Sequence, residues 1–138
     1  MNNELMTNSF VTDLENDNND IFCSFTADKP EDKKKLYKVM TNPDHKLADF
    51  INKTISVTDI FSENCQLTDG KTGEVKTMPR IVLIDKDGVS YQCVSYGIYN
   101  SIKKLIQIYG LPTWEEPIDL LVKQIKAGDK NILSLEIV

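Results

Sequence analysis

The sequence predicts a mainly β protein, with five strands, one helix between the third and the fourth, and a helical extension ahead of them. Three observations predict it. Arg80-Ile81-Val82-Leu83-Ile84 and Val89-Ser90-Tyr91-Gln92-Cys93-Val94-Ser95 are β-rich runs joined by Asp85-Lys86-Asp87-Gly88, an Asp-Gly pattern that marks a hairpin. Ile98, Ile102, Leu105, Ile106 and Tyr109 recur at helical spacing, with Asn100, Lys103, Lys104 and Gln107 on the opposite face. After the helix, Ile118–Lys126 and Asn131–Val138 are two more strand-like runs, separated by the turn Ala127-Gly128-Asp129-Lys130.

In chain order, residues 1 to about 27 are rich in Asn and Asp, and Glu15–Asp20 cannot form a core element. This segment is expected to be a flexible acidic arm, or an arm that docks on a neighbouring subunit through Phe10, Val11 and Leu14. Residues 28–51 are the helical extension. Pro30 suits a first helical turn, Asp28 is the candidate cap, and Glu31 and Asp32 complement the helix N-terminus. Leu36, Val39 and Met40 give an apolar face, and Lys33, Lys34, Lys35 and Lys38 read as a solvated one. Asn42-Pro43 stops the helix. Asp44 is a candidate cap for a second short helix through Phe50, with Leu47, Phe50 and Ile51 inward.

Residues 52–138 are the barrel domain. Lys53 to about Thr68 reads as a long first strand, bent or bulged where Ile60-Phe61 breaks the alternation. Asp69–Glu74 is a polar loop. Thr77–Ile84 and Val89–Ser95 are the second and third strands. The helix from Gly97 ends at Gly110 in the left-handed conformation, and Pro112 bars its resumption. The order β-β-β-α-β-β with a long bent first strand is that of an OB-like barrel, whose middle strands and flanking loops bind oligonucleotides.

The chain has 138 residues and a net charge of −5, which fits one ordinary soluble domain. No apolar run reaches the ~20 residues of a membrane helix. The N-terminus lacks the basic and apolar regions of a secretory signal. Cys23, Cys65 and Cys93 form neither a disulfide framework nor a metal knuckle, so a reducing cytoplasm is expected. The charge is uneven: residues 1–28 hold six acids and no Lys or Arg, whereas 51–138 hold ten basic and eleven acidic residues. His45, the single histidine, reads as a surface or capping residue, because one histidine without a cysteine pair does not build a zinc site.

No catalytic constellation is present. Gly70-Lys71-Thr72-Gly73 is too short for a phosphate loop and leads into no helix, and Asp85 and Asp87 suit a turn for backbone reasons. No enzyme, cofactor or metal is implied. Single-strand binding asks for aromatic faces to stack on bases and cations to track phosphates. The candidates are Lys53, Phe61, Arg80 (the only arginine), Lys86, Tyr91, Tyr96, Trp114, Lys123 and Lys126. Each has a structural alternative. Trp114 suits a plug for the barrel end, Phe61 suits the core, and Tyr91 shares its parity with Val89 and Cys93.

Four blocks carry a resemblance: Asn52–Ile60, Pro79–Tyr91, Val94–Asn100 and Pro112–Trp114. Over residues 42–138 the chain resembles the small single-stranded DNA-binding proteins of phages and mobile elements of Gram-positive bacteria. The resemblance implies a protein that coats single-stranded replication intermediates, with Lys53, Arg80, Tyr91 and Trp114 as matching binding positions. Better-known bacterial single-strand binders carry a flexible acidic tail with a terminal aromatic. This chain closes on Leu133-Ser134-Leu135-Glu136-Ile137-Val138, so a tail-borne recruiting peptide is not expected.

The reading is therefore an OB-like barrel in the cytoplasm (the host's, if phage-encoded) that binds single-stranded DNA with little sequence preference. Replication proteins and a second copy of the chain are further candidate partners; a membrane is not. The rival is the same barrel used as a protein-interaction module, which the near-neutral barrel and the scarcity of arginine favour.

Overall fold

A computed structural model describes residues 21–138. The arm expected over residues 1–27 lies, up to residue 20, outside the described residues. Its last part is not loose. Phe22–Cys23 is a short strand, β1, and Ile21, Cys23 and Phe25 pack against buried side chains.

Pro30–Thr41 is helix α1. Its N-cap is Lys29 rather than Asp28, and no side chain caps it. Val39 is buried, and Leu36 and Met40 pack beside it, as the spacing predicts. The second short helix is a 3-10 turn, Leu47–Phe50, preceded by a two-residue strand, His45–Lys46, called β2. Asp44 is not its cap. Asp44 instead accepts from the Ser90 N–H at 3.1 Å, while its own N–H donates to Ser90 Oγ at 2.9 Å.

The sheet is built on β3 (Thr54–Thr68), β4 (Val75–Asp85), β5 (Ser90–Val94), β6 (Ile118–Ala127) and β7 (Lys130–Ile137). Strand order is β2-β5-β4-β3-β6-β7, with β1 added on β3. With β1 and β2, the described sheet has seven strands, two more than predicted, and both extra strands are two residues long. The sheet curls into a half-barrel.

β3 is long because it serves two partners. Thr54–Val57 pairs with Leu121–Ile118 of β6, and Val57 onward pairs with β4. The register shifts between Val57 and Asp59. The bulge thus lies at Thr58, slightly before the expected break. After it, Ile60 faces one core and Phe61 the other, which is why two successive apolar residues interrupt the alternation.

Between β4 and β5, Asp85 organises the turn. Its Oδ1 accepts from the N–H groups of Asp87 and Val89, and Gly88 takes a φ of +82°. Tyr96–Tyr109 is helix α2. Ser95 caps it, accepting from the Ile98 N–H, so the helix starts one residue earlier than read. Gly110 ends it at φ 86°, ψ 179°, a region open essentially to glycine but extended rather than left-handed helical. Ile98, Ile102 and Leu105 are buried and Ile106 packs beside them, whereas Tyr109 is half exposed.

The main core lies between the concave face of the sheet and α2: Ile55, Val57, Ile60, Ile81, Leu83 and Val122 meet Ile98, Ile102 and Leu105 there. A smaller core lies on the convex face, where Val39 of α1 covers Phe61, Val82 and Ile84.

Candidate nucleic-acid interface

Pairing beyond the core leaves two long hairpins. β3 and β4 stay in register out to Thr68↔Val75, and β6 and β7 out to Ala127↔Lys130. The N-terminus of α2 sits between them. The Tyr96 hydroxyl donates to the Thr77 carbonyl of β4 at 3.0 Å. On the other side, a Cβ placed on Gly97 would collide with the Leu133 carbonyl oxygen of β7. Only glycine lets the helix approach that strand so closely.

This places Tyr96, with 52% of its surface exposed, at the floor between the two hairpins. Strand parity puts Asn64, Gln66 and Thr77 on the concave side of one wall, and Gln124, Lys126 and Asn131 on the concave side of the other. Lys71, in the loop of the first hairpin, is exposed, as are Lys76 and Lys130, which the same parity turns to the convex side. Among the described residues neither ion pair involves them. An exposed ring with amide side chains around it and Lys126 beside it suits a base stacked on the ring with a phosphate near that lysine.

The candidates read from sequence divide into four groups. Tyr96 and Lys126 lie in this cleft, and Lys123, half-buried on β6, faces the convex side opposite Ser134. Lys53 and Lys86 are exposed at the other end of the sheet. The Lys53 ammonium stands 5.3 Å from the Phe50 ring, and the Lys86 N–H donates to the Ser56 carbonyl. The remaining four are committed to the fold. Phe61 is fully buried under α1. Trp114 is buried in the main core and its Nε1 donates to the Gly110 carbonyl at 3.0 Å. Tyr91 is buried against His45 and Phe50, and its hydroxyl donates to Asp85 Oδ2 at 2.9 Å. Burial and that bond to a carboxylate push its pKa up to about 12.

Arg80 is the instructive case. Its side chain is 13% exposed and pairs with Glu63 at 3.1 Å. It also donates to the Val39 carbonyl of α1 and to Gln92 Oε1, each at 3.3 Å. The guanidinium ties the convex face of the sheet to the last turns of α1, away from the cleft.

The sequence model of the family described as phage single-stranded DNA-binding protein matches residues 15–138 of this chain. The chain belongs to that family. No curated protein and no solved structure matches. The family is described by the ligand it binds, single-stranded DNA, and not by a reaction. Among the described residues, no helix is long and apolar enough to cross a membrane. Sequence reasoning did not single out the two long hairpins as walls of one cleft; their signal was the length of the strands on either side of Asp69–Glu74 and Ala127–Lys130.

Proposed function

We propose that the curled sheet works as an OB-like barrel that coats single-stranded DNA in replication or recombination, with little sequence preference. The strand runs through the cleft between the two hairpins. One observation carries this: in a chain of this family, Tyr96 is the exposed ring held between two lysine-bearing hairpins. Tyr96 stacks on a base, and Lys126 neutralises a phosphate beside it, with Lys71 at the tip of the other hairpin. Stacking and backbone contacts read no base edge, which is what a coating protein requires.

Fluorescence anisotropy of a labelled oligo-dT, titrated at two salt concentrations with a matched duplex as control, tests it. Single strands should bind saturably, the duplex far more weakly, and added salt should weaken binding as counterions are released. Tyr96→Ala should cost about 1–3 kcal/mol, roughly 5- to 150-fold in Kd. Lys126→Ala should lower the salt slope by about one unit. A folded Tyr96→Ala protein with unchanged affinity moves the site elsewhere, and Lys53 and Lys86 at the opposite end are then the next residues to change.

A further inference from the structure

The described surface carries a second feature that the DNA reading does not use. Beside the C-terminal end of α2 is a cleft of about 590 Å³. Tyr109, Leu111 and Ile137 give it apolar walls, and Glu115, Glu116 and Asp119 line it with carboxylates. Leu111 is 67% exposed, and Ile108 and Val138 add exposed apolar surface nearby. No lysine or arginine lines it. A cleft with apolar side chains on its walls and charge of one sign along it suits a partner that brings an apolar group and the opposite charge. DNA is repelled there. The chain's own N-terminal segment, with six acids and no base through Asp28, does not complement it either.

The complement exists on the same protein. Tyr37 on α1 is 70% exposed. Lys33 and Lys34, four and three residues before it, are exposed on the same helix face. A ring flanked by two cations matches an apolar cleft rimmed by acids. The two patches stand on different faces of the sheet. α1 packs on the convex face through Val39, whereas Trp114 and Ile118, which close the floor of the cleft, belong to the concave core. We propose that α1 of one copy docks through Tyr37, Lys33 and Lys34 into the acidic apolar cleft of the next copy. Such a contact is head-to-tail, and it propagates into a ring or an open chain of subunits rather than a two-fold dimer.

Sedimentation velocity of the full-length protein without DNA tests this, so its failure leaves the DNA interface standing. The wild type should form a concentration-dependent series of species beyond the dimer that salt dissolves. Tyr37→Ala should weaken the series. K33E/K34E and E115K/E116K, both at exposed positions and checked for folding by circular dichroism, should each sediment as monomers. An equimolar mixture of the two charge-swapped proteins should reassemble, because every junction then joins opposite charges. Any of three results overturns the proposal: a wild type that is monomeric at every concentration reached, a closed dimer unaffected by the swaps, or a mixture that stays monomeric.

Discussion

Arg80 shows how one side chain is drawn away from a ligand by its register. Arg80 pairs across the ladder with Glu63, and its second nitrogen reaches the Val39 carbonyl forty-one residues earlier. Removing it leaves a buried carbonyl and a half-buried carboxylate without their donor. Arg80→Ala should therefore lower stability by about 1–3 kcal/mol in urea titrations while the folded fraction keeps its DNA affinity. A loss of affinity at full stability would return Arg80 to the interface. Phe61→Ala should cost about 3–5 kcal/mol, because the cavity opens beneath α1 with nothing to fill it. Tyr91 was partly legible, since its parity with Cys93 already pointed inward. Arg80 was not. An exposed arginine and a paired one look the same until the distance to Glu63 is known, and that distance depends on a pairing seventeen residues across a hairpin.

At the scale of elements, strong local periodicity carried through. The hairpin around Asp85–Gly88, helix α2 and the double pairing of β3 all follow from spacing and turn chemistry. β1 and β2 were illegible because two residues have no period; tertiary pairing alone makes them strands. The interface was half legible. Tyr96 and Lys126 are both candidates, but the cleft that the proposal gives them depends on Gly97 letting α2 close on Leu133. Gly97→Ala pushes a methyl group into a main-chain carbonyl, where no rotamer change relieves it. It should lower the urea midpoint by the equivalent of about 1–3 kcal/mol and weaken DNA binding in the same protein. Gly70→Ala, with nothing within 4 Å of the added carbon, is the control and should leave both unchanged. Equal behaviour of the two variants would rule out the close approach as a constraint.

For the whole molecule, the cost of ionising buried groups sets an alkaline limit. Burial pushes the Cys23 thiol up to about 11 and the Cys93 thiol up to about 12, and Tyr91 also reaches about 12. All three are neutral in the fold. The stability they lend is complete below their ordinary values of 9.0 and 10.0 and is lost as pH rises through the folded ones. The urea midpoint should hold to about pH 9 and then fall, by up to about 1.4 kcal/mol per group for each pH unit. Cys93→Ala should flatten part of that fall; a profile as steep as wild type would contradict the assignment. Trp114 gives this unfolding its own signal. As the chain's single tryptophan, it sits where the α2 end, the β3 bulge and β6 converge, its N–H groups held by Gly110 and Thr58 carbonyls. Its fluorescence is therefore a private optical channel for the state of the core: it should shift to the red when the curled sheet opens and, if the proposed base stacking on Tyr96 is right, hold its wavelength when DNA is added, so that one cuvette separates melting from loading.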